Sequence, residues 1–244
     1  MDAANISFTF FPCAVGGKRT IRSVRKEGLL HEEFQSAAFA RVGAGKSESE
    51  RRYAKMIGRA VSHLRLWRSL VDSNIHIANI VDDREDLCED FRPRRNDLLA
   101  RLPLSLDFVC LNYRWHRGHL YKLRASKNTN NNKNNNHNNN HNNKDNNNNY
   151  HNNNNTASAK ASQAEHGRFK GHVFKMAAGS PTRTPLHNYV ITWRWAKRML
   201  QIAAGWSDPN IAFEEYVFRT IYQSPQLRGF RGFGAENGTL SVSD

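Results

Sequence analysis

Between Glu48 and Asp72 apolar residues recur at three- and four-residue steps, with Tyr53, Met56, Ile57, Ala60, Val61, Leu64, Trp67 and Val71 falling on one stripe. That spacing predicts an amphipathic helix whose stripe faces a core. Arg51, Lys55, Arg59, Arg65 and Arg68 take the flanks and back. Their side of the helix is either a solvated cationic face or a face laid against phosphates.

The period then shortens to two. From Ser105 to His116, Val109, Leu111, Tyr113 and Trp115 alternate with Phe108, Cys110, Asn112, Arg114 and His116, the pattern of a β-strand. Asn74 to Val81 reads as a shorter strand, and the acidic run from Asp82 to Asp90, closed by Arg92-Pro93, as a loop. Arg117-Gly118 is a turn signal before His119 to Leu123, so a hairpin is expected there. A third strand is read in RFKGHVFKM from Arg168, giving three adjacent antiparallel strands. Ile6, Phe8 and Phe10 alternate as an edge strand would, whereas Phe34 to Phe39 reads as helix.

Near the C-terminus, Thr184-Pro185 supplies a cap and first turn for a helix through Ala204, stopped by Gly205. Asp208-Pro209 repeats that signal for a second helix to about Gln223. The pair should form a helical hairpin on the sheet. The residues after Ser224-Pro225 read as a glycine-rich flexible tail.

The elements predict an α+β fold: a small antiparallel sheet of about three adjacent strands plus edge strands, packed with the Glu48 helix and the C-terminal hairpin. Segment boundaries follow as an N-terminal extension (1–47), helix and first strands (48–125), an insert (126–167), third strand and hairpin (168–223) and tail (224–244). Composition accounts for the insert. Of the 28 residues from Asn128 to Asn155, 20 are asparagine, and such a tract offers no core to offset the entropy of ordering. A hairpin loop tolerates the length because its ends are already held close, each doubling costing only about 0.6 kcal/mol.

Charge changes the picture more. The formal net charge is +14, and the excess lies in segments predicted to fold: 13 Lys or Arg against 6 Asp or Glu over 1–70, 6 against 1 over 101–127, and 7 against none over 168–200. An ordered cationic surface selects a polyanion, most often nucleic acid, with anionic lipid or an acidic protein as lesser partners. Cations also alternate with rings in YRWHRGHLYKLR, RFKGHVFK and WRWAKR, a pairing that suits phosphate contact with base stacking. Arg114, Arg117, Lys122, Arg124, Arg168, Lys170 and Lys175 would share a surface if the three strands are neighbours. Arg194, Lys197 and Arg198 join them from the first C-terminal helix, and Arg51, Lys55 and Arg59 from the Glu48 helix. The opposing reading is a core on one side of each strand and solvent on the other. The terminal RGFRGF resembles short RG segments of RNA-associated tails.

Catalytic signatures are sparse. ARVGAGKS (Ala40 to Ser47) approaches the phosphate-binding loop G-x-x-x-x-G-K-S, but Ala40 replaces its first glycine and helix precedes it where a buried strand is required. IANIVDD imitates the acidic strand end of such enzymes. His116 and His119 flank a turn with no completing ligand, and the acidic run reads as a solvated loop or a dock for a basic neighbour. Cys13, Cys88 and Cys110 form no C-x-x-C pair, which argues against a disulfide framework and favours a reducing compartment. No apolar run reaches the ~18 residues of a membrane span. Lys18, Arg19, Arg22, Arg25 and Lys26, with Asp2 as the sole acid before them, faintly resemble an organellar transit segment.

The expectation is therefore a non-enzymatic basic component of a large assembly, without cofactor or metal. It contacts rRNA-like RNA and neighbouring proteins, as in an organellar ribosome or its assembly machinery, in the mitochondrion or alternatively the nucleus. Two other readings are an accessory subunit of a protein complex, including an organellar membrane complex, and a divergent nucleotide-dependent enzyme.

Overall fold

The computed structural model describes residues 9–42, 47–83, 85–113, 118–121, 168–176, 186–208, 210–224, 229–236 and 240–242. Within them the chain is α+β. Three helices come first: α1 (Lys18–Glu27), α2 (Glu32–Val42) and α3 (Glu48–Asp72). Then follow β1 (Ile77–Val81), β2 (Asp86–Leu87), α4 (Phe91–Arg101), β3 (Phe108–Tyr113), β4 (Gly118–Tyr121) and β5 (Val173–Met176). The chain continues through β6 (Asn188–Thr192), α5 (Trp193–Ala203), α6 (Phe213–Gln223), β7 (Gly232–Glu236) and β8 (Ser241–Val242).

Helix α3 spans the residues its periodicity predicts. Ser47 starts it with a capping box, its hydroxyl accepting from the Glu50 amide while the Glu50 carboxylate accepts from the Ser47 amide. The stripe residues Ile57, Ala60, Val61, Leu64 and Trp67 are all buried. At Gly58 the helix meets the incoming N-terminal strand of chain at backbone contact distance. A Cβ on Gly58 would stand 2.5 Å from the Ala14 carbonyl oxygen and 2.7 Å from the Gly16 nitrogen.

Six strands form one sheet in the order β1-β6-β3-β7-β5-β4, and β2 pairs with β8 in a separate ribbon. The sheet is mixed. β3 runs parallel to β7, and every other pair is antiparallel. Both faces are covered, so alternate strand residues enter two different cores. Phe108, Cys110, Tyr189 and Ile191 pack beneath α1, α2, α3, α5 and α6. Val109, Leu111, Val190, Phe233 and Ala235 pack on the opposite side with Phe91, Leu98 and Leu102 of the α4 region and with Leu240.

Four expectations are corrected. The single helix expected from Thr184 to Ala204 is a strand followed directly by a helix. NYVIT, rich in β-branched and aromatic residues, takes the sheet position as β6, and Thr192 rather than Thr184 caps α5 by accepting from the Trp195 amide. The glycine-rich segment expected to be a flexible tail contributes β7 to the middle of the sheet. Its glycines fit there because a Cβ on Gly232 would lie 2.3 Å from the Phe230 ring, while Phe233 and Ala235 fill the other face.

β7 and β5 separate β3 from β4, so the expected β3–β4 hairpin does not form, whereas β4 and β5, joined by the asparagine-rich connection, do pair. Finally, part of the acidic stretch expected to be a loop is β2, and α4 follows it with Pro93 in its first turn, where no amide partner is needed. The second C-terminal helix, α6, begins at Phe213, after the Asp208-Pro209 signal. Thr184-Pro185, the asparagine-rich tract and residues 1–8 lie outside the described residues.

Candidate nucleic-acid interface

The switch from β6 to α5 sets the geometry of the strongest cationic feature. Thr192 ends the strand and caps the helix, so Arg194, Lys197 and Arg198 fall in the first two turns of α5 at i, i+3 and i+4 spacing and share one face. These three cations line an open groove of about 380 Å³ with Trp195, Gln201, Gly229, Phe230 and Asp107. A second depression of about 250 Å³, lined by His76, Leu104, Ser105, Leu106, Thr192 and Trp193, meets it at Arg194.

Asp107 is the hub of the site. Its side chain is 2% exposed, and it joins three strand ends. One carboxylate oxygen accepts from Arg194 Nη2, the other from the Arg231 amide at 3.0 Å. Its own amide donates to the Arg231 carbonyl at 3.1 Å, and its carbonyl accepts from the Thr192 amide at 3.2 Å. The buried carboxylate holds Arg194 in place while leaving that side chain 68% exposed. Across the groove, Phe230 stacks on Trp195 with ring centroids 4.5 Å apart. Lys197 stands over the Trp193 ring at 5.4 Å, Arg198 donates to the Gln201 side chain, and the Arg231 guanidinium donates to Ser105.

Among the described residues that line the groove, Asp107 is the single carboxylate facing Arg194, Lys197 and Arg198. Their placement opposes the usual helix preference. Cations at a helix N-terminus add to the positive end of the helix dipole, and α5 has no acidic residue in its first turn. The local potential favours an anion. No protein-family model matches the chain, and no curated protein sequence matches it. The case for a site rests on its geometry.

The other sequence-predicted cations divide into paired and unpaired groups. Arg51 is bound to Glu48 at 3.3 Å and Arg59 to Glu214 at 3.3 Å. Lys55 is exposed on α3. Arg168 and Lys170 precede β5, in a segment tied to α4 where the Phe169 amide donates to Asp97. Lys175 is exposed on β5, opposite His119 of β4. Arg168, Lys170 and Lys175 are therefore on different elements from the α5 groove. Arg114, Arg117, Lys122 and Arg124 lie outside the described residues, as does His116. Asp107 and Arg231 are not among the cations the sequence predicts for the interface, although Arg231 belongs to the RG-like segment. The isolated acid in a basic stretch and the RG repeat were the available signals.

A strongly perturbed pair of groups lies elsewhere. His63 of α3 is buried beneath β6, and desolvation, reinforced by Arg59, pushes its pKa down to about 3. The ring is neutral. Trp67 Nε1 donates to the Tyr189 hydroxyl at 3.0 Å, and that hydroxyl donates to His63 Nδ1 at 2.9 Å. Burial also raises the Tyr189 pKa, keeping the phenol protonated. Neither groove is lined by any of these residues, and this closed relay ties α3 to the sheet.

Nearby, His187 Nδ1 lies 2.9 Å from Asp82 at the end of β1. Burial pushes the Cys88 thiol up to about 11, so it is uncharged at neutral pH. Among the described residues no group of three His, Cys, Asp or Glu is arranged to hold a metal ion. The phosphate-loop reading meets two obstacles: the residues before it are the helix α2, and the Ser47 hydroxyl is engaged as the α3 cap. Among the described residues no helix is long and apolar enough to cross a membrane.

Proposed function

We propose that this protein is a non-enzymatic RNA-contacting component of a larger assembly, and that the α5 groove is its principal phosphate-binding surface. The observation that carries the reading is the presentation of Arg194, Lys197 and Arg198 on one helical face, with Arg194 fixed by buried Asp107 and the other two without a carboxylate partner among the described residues. A fixed guanidinium pays less ordering entropy on meeting phosphate than a free one. The adjacent Trp193 and Phe230 rings offer surfaces to an unstacked base.

Titration of labelled single- and double-stranded RNA at several salt concentrations tests the reading. For single strands the logarithm of affinity should fall with the logarithm of salt by about 0.7 for each phosphate neutralised. Three engaged cations therefore correspond to a slope near −2. Lys197→Glu, at an exposed position, with Arg198→Glu, at a half-buried one, should weaken binding about tenfold or more and flatten the slope. Binding that is indifferent to salt, or unchanged in the double variant, refutes the assignment of the groove.

A further inference from the structure

The outer edge of the sheet at β1 is built to pair. β1 is the first strand of the sheet and touches β6 on one side only; among the described residues nothing pairs with the other. Its hydrogen-bond phase is fixed at both ends, since the Trp193 amide donates to the His76 carbonyl at 2.8 Å and the Asp82 amide to the His187 carbonyl at 2.6 Å. Alternation along an antiparallel ladder then turns the main-chain groups of Ala78 and Ile80 towards β6 and those of Ile77, Asn79 and Val81 outward. The edge carries none of the devices that usually block strand addition. IANIV contains no charge and no proline. Around it the large side chains of Ile75, Ile77 and Leu104 are exposed, Ile77 by 51%.

We infer that β1 pairs with β1 of a second copy of this chain, antiparallel about a two-fold axis at Asn79, joining the two six-stranded sheets into one. The commitment to a second copy comes from self-complementarity. Only the register that sets Asn79 opposite itself uses all three outward residues, with Ile77 opposite Val81 of the other copy, twice. Directly opposed residues lie on the same sheet face, so each exposed Ile77 gains an apolar cross-strand neighbour. In that register His76 of one copy stands opposite Asp82 of the other, and the apolar Ile77 and Val81 positions of the IANIV strand face each other at both ends. The axis is perpendicular to the sheet, so both α5 helices fall on one side of the joined sheet.

The full chain, freed of nucleic acid by nuclease, should show a concentration-dependent rise in mass from 28.0 kDa towards twice that value in sedimentation or light-scattering measurements. Ile77→Lys places a charge on an already exposed side chain and should hold the protein at the single-chain mass with an unchanged melting temperature. Register is read by oxidation in a Cys13→Ser background. Asn79→Cys should give a disulfide-linked dimer, whereas Ile75→Cys, far from its own copy in this register, should not. A single-chain mass at all concentrations overturns the inference, as does a dimer that persists in Ile77→Lys or crosslinks equally through residue 75.

Discussion

Buried, neutral His63 makes the stability of this fold fall with acidity in a calculable window. In the unfolded chain the imidazole titrates near 6.5, whereas burial holds it down to about 3 in the fold. As pH falls below about 6.5, the unfolded state takes up a proton that the folded state refuses, so unfolding is favoured. The loss approaches about 1.4 kcal/mol per pH unit until the folded pKa is reached. Between pH 6.5 and pH 5 the contribution is about 2 kcal/mol, a sizeable part of the stability of an ordinary domain.

The assay is urea denaturation of the full chain and of His63→Gln at pH 7.5, 6.5, 5.5 and 5.0, followed by tryptophan fluorescence and circular dichroism. Glutamine offers an amide to the Tyr189 hydroxyl without titrating. The variant is expected to start less stable at pH 7.5 and to lose about 2 kcal/mol less on acidification. The difference between the two proteins isolates this residue, because every other ionisable group is common to both. Parallel pH profiles would refute the claim that His63 is held neutral by burial.

Further outcomes follow from the same packing. Tyr189→Phe removes the hydroxyl shared by Trp67 and His63 and leaves two buried polar groups unpaired, at roughly 2–5 kcal/mol, read as a lowered denaturation midpoint. Gly58→Ala forces apart α3 and the Ala14–Gly16 backbone, because its Cβ has no space, and should cost at least the ~1–3 kcal/mol of core overpacking; a variant as stable as the parent would contradict that contact. Asp107→Asn should loosen the Arg194 and Arg231 contacts together, weakening RNA binding while lowering thermal stability. Deleting residues 128–155 roughly halves the β4–β5 connection and should stabilise the protein by less than about 1 kcal/mol, with RNA affinity unchanged.

The α+β class, the 25-residue helix α3, the strand β3 and the β4–β5 pairing across the long connection were all legible in the sequence. Each depends on local periodicity or on one loop closure. What was not legible depends on which strands become neighbours. NYVITWRWAKRML is compatible with helical spacing throughout, and only the vacancy between β1 and β3 makes its first five residues a strand. GFGAE alternates with period two, but its glycines signal looseness until the tight contact of Gly232 with Phe230 is seen. The candidate site shows the same division. The cations of α5 were evident from composition, but Asp107 and Arg231 gained meaning only through the parallel β3–β7 pairing that brings residues 124 apart into hydrogen-bond contact.

Net charge alone would spread the proposed interface over the whole molecule, and the ion pairs narrow it. Arg25, Arg51, Arg52, Arg59, Arg65, Arg94, Arg101 and Arg219 all lie against the chain's own carboxylates. Such cations contribute little to an external field, and releasing one to a phosphate would strand its partner. Arg194 differs because Asp107 is buried and shares its charge with a backbone amide, so the guanidinium is anchored by one edge while most of it faces solvent. With Lys197 and Arg198 beside it, α5 concentrates positive charge where a helix ordinarily avoids it. If β1 pairs across a two-fold axis, two such helices face the same way. A strand of RNA long enough to reach both would then bind with a steeper salt dependence than a fragment spanning one groove. Equal slopes for short and long RNA in the dimer would mean that the grooves act separately.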